Sequence, residues 1–189
     1  MRMILAMTAA LVTVSPLSGQ SSSDPFPSPI AATEGVIQVD FVEFASIPDV
    51  DGSPARMMRL VDEPGTGRIF VNDMRGPLYS VSYDGQTVVE YVDIDDPSWE
   101  VGVQSRGRET GVQSFAFHPQ FGQPGTPGYG KFYVWTDSRN TQPTPDYTPS
   151  DDSDAHDTVL LEWTARNPRG ASYDGEQPRE VLRIQQPFR

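Results

Sequence analysis

The sequence contains no cysteine, only two histidines and few basic residues among its 189 residues. Without cysteine, the chain can form no disulfide, no thiolate metal site and no lipid-modified cysteine anchor. Lys and Arg total 14 against 26 Asp and Glu, which gives a formal net charge of -12. This deficit of cations argues against binding to nucleic acids or to anionic membrane surfaces, because both attract basic residues.

The short motifs of several enzyme classes are also missing. The sequence contains no G-x-S-x-G, no H-E-x-x-H, no G-x-G-x-x-G and no phosphate-binding loop. These absences leave α/β-hydrolase, zinc peptidase, nicotinamide dehydrogenase and NTPase functions without support.

The N-terminus has the layout of a secretory signal peptide. Arg2 precedes an apolar run from Met3 to Val14, and small or turn-forming residues follow. The run is too short to cross a bilayer as a helix; a buried N-terminal helix is the alternative interpretation. We expect residues 1–19 to be a signal peptide and residues 20–35 a Ser/Pro-rich linker. The mature chain would then have no membrane span and be periplasmic or extracellular.

From residue 36 to residue 189 the pattern predicts an all-β fold. Gly and Pro, at 16 and 18 residues, separate short apolar runs of the kind that form strands. The pair Asp84-Gly85 is a typical hairpin turn. Strands are predicted over residues 36–44, 68–72, 78–83, 87–93, 111–119, 158–165 and 180–184, with a further strand after Gly130.

Two of these segments open in the same way, which suggests an internal repeat. GRIFVND begins at Gly67 and GKFYVWTD begins at Gly130. Such a repeat in an all-β chain indicates β-propeller blades, each a four-stranded sheet of roughly 40–50 residues. The chain has room for the first two or three blades, whereas a closed propeller has at least about four. We therefore expect a partial β-propeller, the N-terminal part of a larger, truncated domain.

The two histidines are candidate general bases, because an imidazole titrates near neutral pH. His118 stands at the end of an aromatic strand, and Pro119 holds it extended; in the alternative role its ring hydrogen-bonds a loop carbonyl. His156 lies in the acidic run PSDDSDAHDTV, where residues 151–157 could hold Ca²⁺ but lack the EF-hand glycine and terminal Glu. A solvated acidic loop is the alternative there, and residues 49–52 carry a weaker calcium signal.

A charged cluster, Arg106, Arg108 and Glu109, precedes the aromatic strand. Loops at the ends of propeller blades line the central mouth, where ligands bind. A carboxylate at such a place can accept hydrogen bonds from sugar hydroxyls. The alternative is a solvated surface cluster without a ligand.

Residues 107–121, GRETGVQSFAFHPQF, resemble the quinoprotein glucose/sorbosone dehydrogenases, the soluble PQQ-dependent sugar dehydrogenases. That family carries a Gly-Leu-Leu-Gly-like turn followed by an aromatic-Ala-Phe-His-Pro-x-Phe segment. Here the turn falls on residues 111–114 and the segment on residues 115–121. The strands after Gly67 and Gly130 resemble further parts of the pattern, and the likeness spans roughly residues 36–188.

The resemblance implies a six-bladed propeller with pyrroloquinoline quinone (PQQ) and Ca²⁺ on its axis. A histidine takes the proton of the sugar hydroxyl, hydride moves to the quinone, and an electron acceptor reoxidises it. In the family this histidine follows a strand that residues 179–184 match, so the base and most cofactor ligands are expected beyond Arg189. His118 would then be a strand-end packing residue. Glu109 matches the family's sugar-contacting Gln or Glu.

This chain departs from the family pattern at two places that leave the sugar open. Gln113 and Ser114 replace Leu and Gly of the turn, and Asp73-Met74 stands where many members have Glu-Arg. We expect the N-terminal portion of an exported sugar or sugar-aldehyde dehydrogenase, inactive by itself. The alternatives are a non-enzymatic extracellular propeller that binds ligands, with or without calcium, and an adhesion-type β domain that uses residues 151–157 for calcium.

Overall fold

A computed structural model of the chain describes residues 39–107, 109–149 and 156–186. The chain divides into two units, Met1–Asp40 and Phe41–Arg189, and the fold below is that of the second. The predicted signal peptide and linker lie outside the described residues. Within the described ranges, no helix is long and apolar enough to cross a membrane.

The described chain is all-β, which confirms the all-β class expected from the sequence. Its strands form two four-stranded antiparallel sheets, each an up-and-down meander in chain order, and neither sheet closes on itself. A three-residue 3-10 turn, Pro97–Trp99, lies between the sheets in sequence. The first sheet comprises β1 (Met57–Glu63), β2 (Arg68–Asp73), β3 (Pro77–Ser82) and β4 (Val88–Asp93); the second comprises β5 (Val112–Phe117), β6 (Lys131–Ser138), β7 (His156–Thr164) and β8 (Arg179–Gln186).

The repeated opening marks equivalent strands of the two sheets. Gly67 and Gly130 directly precede β2 and β6, and each of these is the second strand of its sheet. Both glycines have a positive φ, 70° and 73°, a conformation that other residues rarely adopt. The hairpin turn predicted at Asp84-Gly85 is also present, with Gly85 at φ 73° between β3 and β4. Turn chemistry thus fixes the strand boundaries in both sheets.

The strand expected over residues 36–44 is wrong in its described part. Residues 39–44 form no strand, and Phe41 and Val42 are 89 % and 88 % exposed. Alternation alone does not make a strand, because strand preference depends on packing against neighbouring strands. The chain instead continues into Ala45 and Ile47, which pack on the outer face of the first sheet against a small cluster containing Tyr79.

An aromatic core lies between the two sheets and holds them together. Phe70 of β2 packs against Phe117 of β5 with ring centroids 4.6 Å apart, and Phe132 stacks on Trp163 at 5.8 Å. Phe115 and Phe117 face this core while Ala116 is exposed, as the alternation predicts. Complete burial of each large apolar side chain contributes about 1.5–3 kcal/mol. The core brings β1 and β2 into contact with β5.

Candidate functional site

The candidate site lies at one end of the two sheets, here called the upper end. It is the end at which β1, β3, β5 and β7 begin, and β2 and β6 finish there. The two sheets meet at this end because the Val112 amide donates to the Met74 carbonyl at 2.8 Å. The Asn72 side chain also donates to the Val112 carbonyl at 2.7 Å. The sequence-predicted Glu109 immediately precedes this junction.

The turn that carries Glu109 is fixed by a glycine. Gly111 has φ 135° and lies so close to the Met74 carbonyl that no Cβ atom fits there. Its amide donates to Oδ2 of Asp137 at 3.1 Å, and its carbonyl accepts from the Asp137 amide at 3.0 Å. The backbone two residues after Glu109 is therefore held to β6 from both sides.

The residues before Glu109 are held by an arginine of the first sheet. Arg56 donates to the carbonyls of Ser105 at 3.0 Å and of Gly107 at 2.9 Å. Glu109 and Arg106 are solvent-exposed, whereas Arg108 lies outside the described residues. The loop thus presents the Glu109 residue to solvent from an anchored backbone, a geometry suited to receiving a ligand hydroxyl.

Several hydrogen bonds of the upper end converge on the side chain of Asp137, which no sequence motif marks. It is 6 % exposed. Its Oδ2 atom accepts from Gly111 and from Nε2 of Gln113 at 3.2 Å, and Oδ1 accepts from Oγ1 of Thr158 at 2.7 Å. The same Gln113 nitrogen donates to the Glu109 carbonyl. One buried carboxylate thus connects the Glu109 turn to β7.

His156 is a buried strand residue and not part of a solvated loop. It opens β7, is 7 % exposed, and its Nε2 atom lies 3.6 Å from Oδ1 of Asp137. The next residue, Asp157, is 1 % exposed and pairs with Arg183 at 2.6 Å. Residues 151, 152 and 154, which the calcium hypothesis also requires, lie outside the described residues.

His118 lies at the lower end, the opposite end of β5 from Glu109. A six-residue strand separates the two, which corresponds to roughly 20 Å. Nδ1 of His118 accepts the amide of Gln120 at 3.1 Å, so the ring caps its own loop through an amide and not through the loop carbonyl that the packing alternative expected. The imidazole also lines a cleft of about 320 Å³ with Arg59, Phe117 and Gln123. The geometry does not bring His118 to the Glu109 turn.

A third carboxyl at the upper end, that of Asp93, has a raised pKa. Burial raises the pKa of Asp93 to about 6, and the nearby charges of Glu90 and Asp95 act in the same direction. The Asp95 amide, which donates to Oδ1 of Asp93 at 3.0 Å, partly offsets this. Nothing in the sequence pattern distinguishes Asp93 from an ordinary strand-end aspartate, because the shift depends on packing.

The described residues supply no metal-holding group of their own for the calcium that the family resemblance implies. Among them, no three acidic or histidine side chains are grouped so as to hold a metal ion. The guanidinium of Arg75 is used by Asp73 at 3.1 Å and by the carbonyls of Val50 and Pro54. It is therefore not available as a clamp for a carboxylated cofactor, and no chemical step is assigned to either group.

No protein-family model matches this sequence, and no curated protein matches it. The motifs and the geometry of the upper end are the features that bear on function. Chemically, that end offers the exposed carboxylate of Glu109 on an anchored turn and the buried carboxylate of Asp137. The buried His156 lies beside Asp137. Such an arrangement can orient a hydroxylated ligand.

Proposed function

We propose that the two sheets are adjacent blades of a β-propeller in an exported quinoprotein that oxidises a sugar or sugar aldehyde. PQQ and Ca²⁺ would be held by residues outside the described ones, and the quinone would supply the hydride acceptor, with an external electron acceptor as its partner. The proposal is supported by two consecutive four-stranded meanders whose first strands, β1 and β5, lie in contact. Blades of this kind surround a central channel with their first strands innermost.

The observation that carries the proposal is the position of Glu109. This residue precedes the first strand of the second sheet and is exposed on a turn that hydrogen bonds anchor at both flanks. Its proposed role is to accept hydrogen bonds from sugar hydroxyls. The base is proposed to be a histidine outside this chain, since neither His118, at the lower end, nor His156, buried beside Asp137, stands as a free base beside Glu109.

The test of this function is a dye-linked oxidation assay on the full-length gene product, loaded with PQQ and Ca²⁺. We expect oxidation of at least one aldose or sugar aldehyde, and no dye reduction when the quinone is omitted. Failure with every aldose and aldehyde, in protein shown to have bound PQQ, would rule out the enzyme.

Replacement of Glu109 tests the substrate contact. A hydrogen bond to a charged group contributes about 1.5–3 kcal/mol, so Glu109→Ala should raise KM roughly 10- to 100-fold. The matched control is Glu90→Ala, which removes an exposed glutamate from β4, and its KM should stay within about twofold. Equal KM values for wild type and Glu109→Ala would remove Glu109 from the site.

A non-enzymatic propeller that binds sugars is the second candidate. It is favoured by the internal use of Arg75, whose guanidinium bonds Asp73 and the Val50 carbonyl. Calorimetric titration with sugars distinguishes it from the enzyme. Binding that requires Glu109, without dye reduction by PQQ-loaded protein, would support the binding module and contradict the dehydrogenase.

A further inference from the structure

We infer that Asp137 is a positioning residue that sets the orientation of Glu109 toward its ligand. This inference rests on the proposed role of Glu109 in sugar contact. Asp137 does not itself reach the exposed face of the turn. It acts on the backbone through Gly111 and on the loop through Gln113.

The two oxygens of Asp137 have separate tasks. Oδ2 accepts from the Gly111 amide at 3.1 Å and from Gln113 Nε2 at 3.2 Å, which fixes the Glu109 turn. Oδ1 accepts from Thr158 Oγ1 at 2.7 Å and lies 3.6 Å from His156 Nε2. The carboxylate is thus held by β7 on one side and holds the turn on the other.

Gln113 extends this hold to the Glu109 residue itself. Its Nε2 group donates both to Asp137 Oδ2 and to the Glu109 carbonyl. The two N–H bonds of one amide nitrogen therefore connect the buried carboxylate to the backbone of the proposed sugar-binding residue. Hydrogen bonds to an ionised acceptor are about twice as strong as neutral ones, which suits Asp137 as the fixed point.

The local structure of β5 explains why the turn needs such a fixed point. The pairing of β5 with β6 shifts register between Val112 and Ser114, so the ladder is interrupted where the turn enters the strand. Gly111 at φ 135° contributes no side chain to hold the backbone. Here the Asp137 carboxylate accepts from the Gly111 amide, in addition to the bond that the Asp137 amide donates to the Gly111 carbonyl.

The first experiment measures the turn without any activity. In the purified chain, Asp137→Ala should accelerate amide hydrogen exchange of Gly111 at least tenfold, while amides near Phe117 at the other end of β5 keep their wild-type rates. Asp137→Asn should restore slow exchange, because its amide oxygen can face Gly111 while its NH₂ group donates to the Thr158 hydroxyl. The matched control is Glu162→Ala, which removes a hydrogen-bonded carboxylate at the far end of β7. It should leave the exchange rate of the Gly111 amide unchanged.

The second experiment links the turn to the ligand. In the full-length protein, Asp137→Ala should raise KM at least fivefold with kcat within about twofold. In a Glu109→Ala background it should raise KM no further, because Asp137 acts only through Glu109. If Asp137→Ala fails to fold, Gln113→Ala replaces it, since Gln113 is only partly buried, and should raise KM at least twofold.

The outcomes separate this inference from the proposed function. Unchanged Gly111 exchange in Asp137→Ala, or in Gln113→Ala where that variant replaces it, would overturn the positioning role whatever the activity. Additive KM effects of the Asp137 and Glu109 replacements would overturn it as well. Altered Gly111 exchange in a protein that oxidises no sugar would retain the structural role of Asp137 and reject sugar oxidation as the function it serves.

Discussion

Gly65 and Gly122 touch backbone to backbone at the lower end of the two sheets. A Cβ atom on Gly122 would lie 2.7 Å from both the carbonyl carbon and the carbonyl oxygen of Gly65. Gly65 belongs to the turn between β1 and β2, and Gly122 to the loop after β5. The approach of the two sheets at this end therefore depends on the absence of side chains at both positions.

Replacement of Gly122 by alanine should separate the sheets locally. The added methyl group meets fixed backbone atoms, so the free energy of unfolding should fall by about 1–3 kcal/mol, the usual cost of overpacking. Denaturant unfolding of the purified chain measures it. Gln123→Ala, an exposed change in the same loop, should stay within about 0.5 kcal/mol. Equal stability of Gly122→Ala and wild type would show that the backbone contact is not needed.

Phe70 should be among the most sensitive core positions. It is fully buried and packs on Phe117 across the two sheets, 4.6 Å between ring centroids, and on Tyr91 at 5.3 Å. Phe70→Ala should cost about 3–5 kcal/mol in unfolding free energy and weaken the attachment of the first sheet to the second. Phe41→Ala removes the same side chain from a position that is 89 % exposed, and should change stability little. Similar losses in the two variants would contradict the assigned core.

Most strands of this fold could be predicted because turn residues bound them. Gly67 and Gly130 supply positive φ values immediately before β2 and β6, and the Asp84-Gly85 pair does the same between β3 and β4. Strand β1 was missed because its apolar residues do not alternate with polar ones. Three of its apolar side chains are more than half exposed: Met57, Met58 and Leu60. Neither face of β1 is therefore uniformly buried, and its sequence has no period-two pattern.

The candidate site could be predicted only in part, because its centre depends on long-range pairing. Glu109 was found from a local motif. The pairing of β6 with β7 places Asp137 opposite Thr158. Its other partner, Gly111, lies 26 residues earlier in the chain. The acidic run before His156 predicts a loop. In the structure His156 pairs with Gln186 and begins a buried strand. Such contacts have no local sequence signal.

Asp93 should make the protein less stable as the pH rises. Its pKa is raised from 3.8 to about 6 in the folded chain, chiefly by burial. The folded state therefore binds more protons than the unfolded state between these values, and stability falls as the pH rises from about 4 to about 6. Asp93→Asn should abolish this slope and exceed wild type at pH 7 by on the order of 1–2 kcal/mol.

The slope is measured by urea unfolding from pH 4 to pH 8. Asp49→Asn is the control, because it removes an exposed carboxyl and should leave the pH dependence of wild type in place. A wild-type curve that rises through this range, or one that Asp93→Asn leaves unaltered, would contradict the raised pKa of the half-buried Asp93.

Glu162 should stabilise the protein in the opposite sense to Asp93, because its contribution to the free energy of unfolding is lost as the pH falls. Burial alone would raise the pKa of this carboxyl, but hydrogen bonds from Arg179, Tyr133 and Lys131 outweigh burial and lower it from 4.5 to about 2. Its contribution is therefore complete above about pH 4.5 and is lost as the pH falls toward 2. Because Arg179 is 64 % exposed and water screens it, Glu162→Gln should cost only about 1–2 kcal/mol at pH 7.

The comparison that isolates this effect is Glu176→Gln. Glu176 pairs with Arg166 at 2.7 Å, but its side chain is 82 % exposed, so its loss should cost less than about 0.5 kcal/mol. Unfolding measured at pH 7 and again at pH 3 should show the Glu162→Gln deficit shrinking with acidification, since wild type loses the same contribution on protonation. A deficit that stays constant between the two pH values would mean that Glu162 stabilises the sheet by packing and not by its charge.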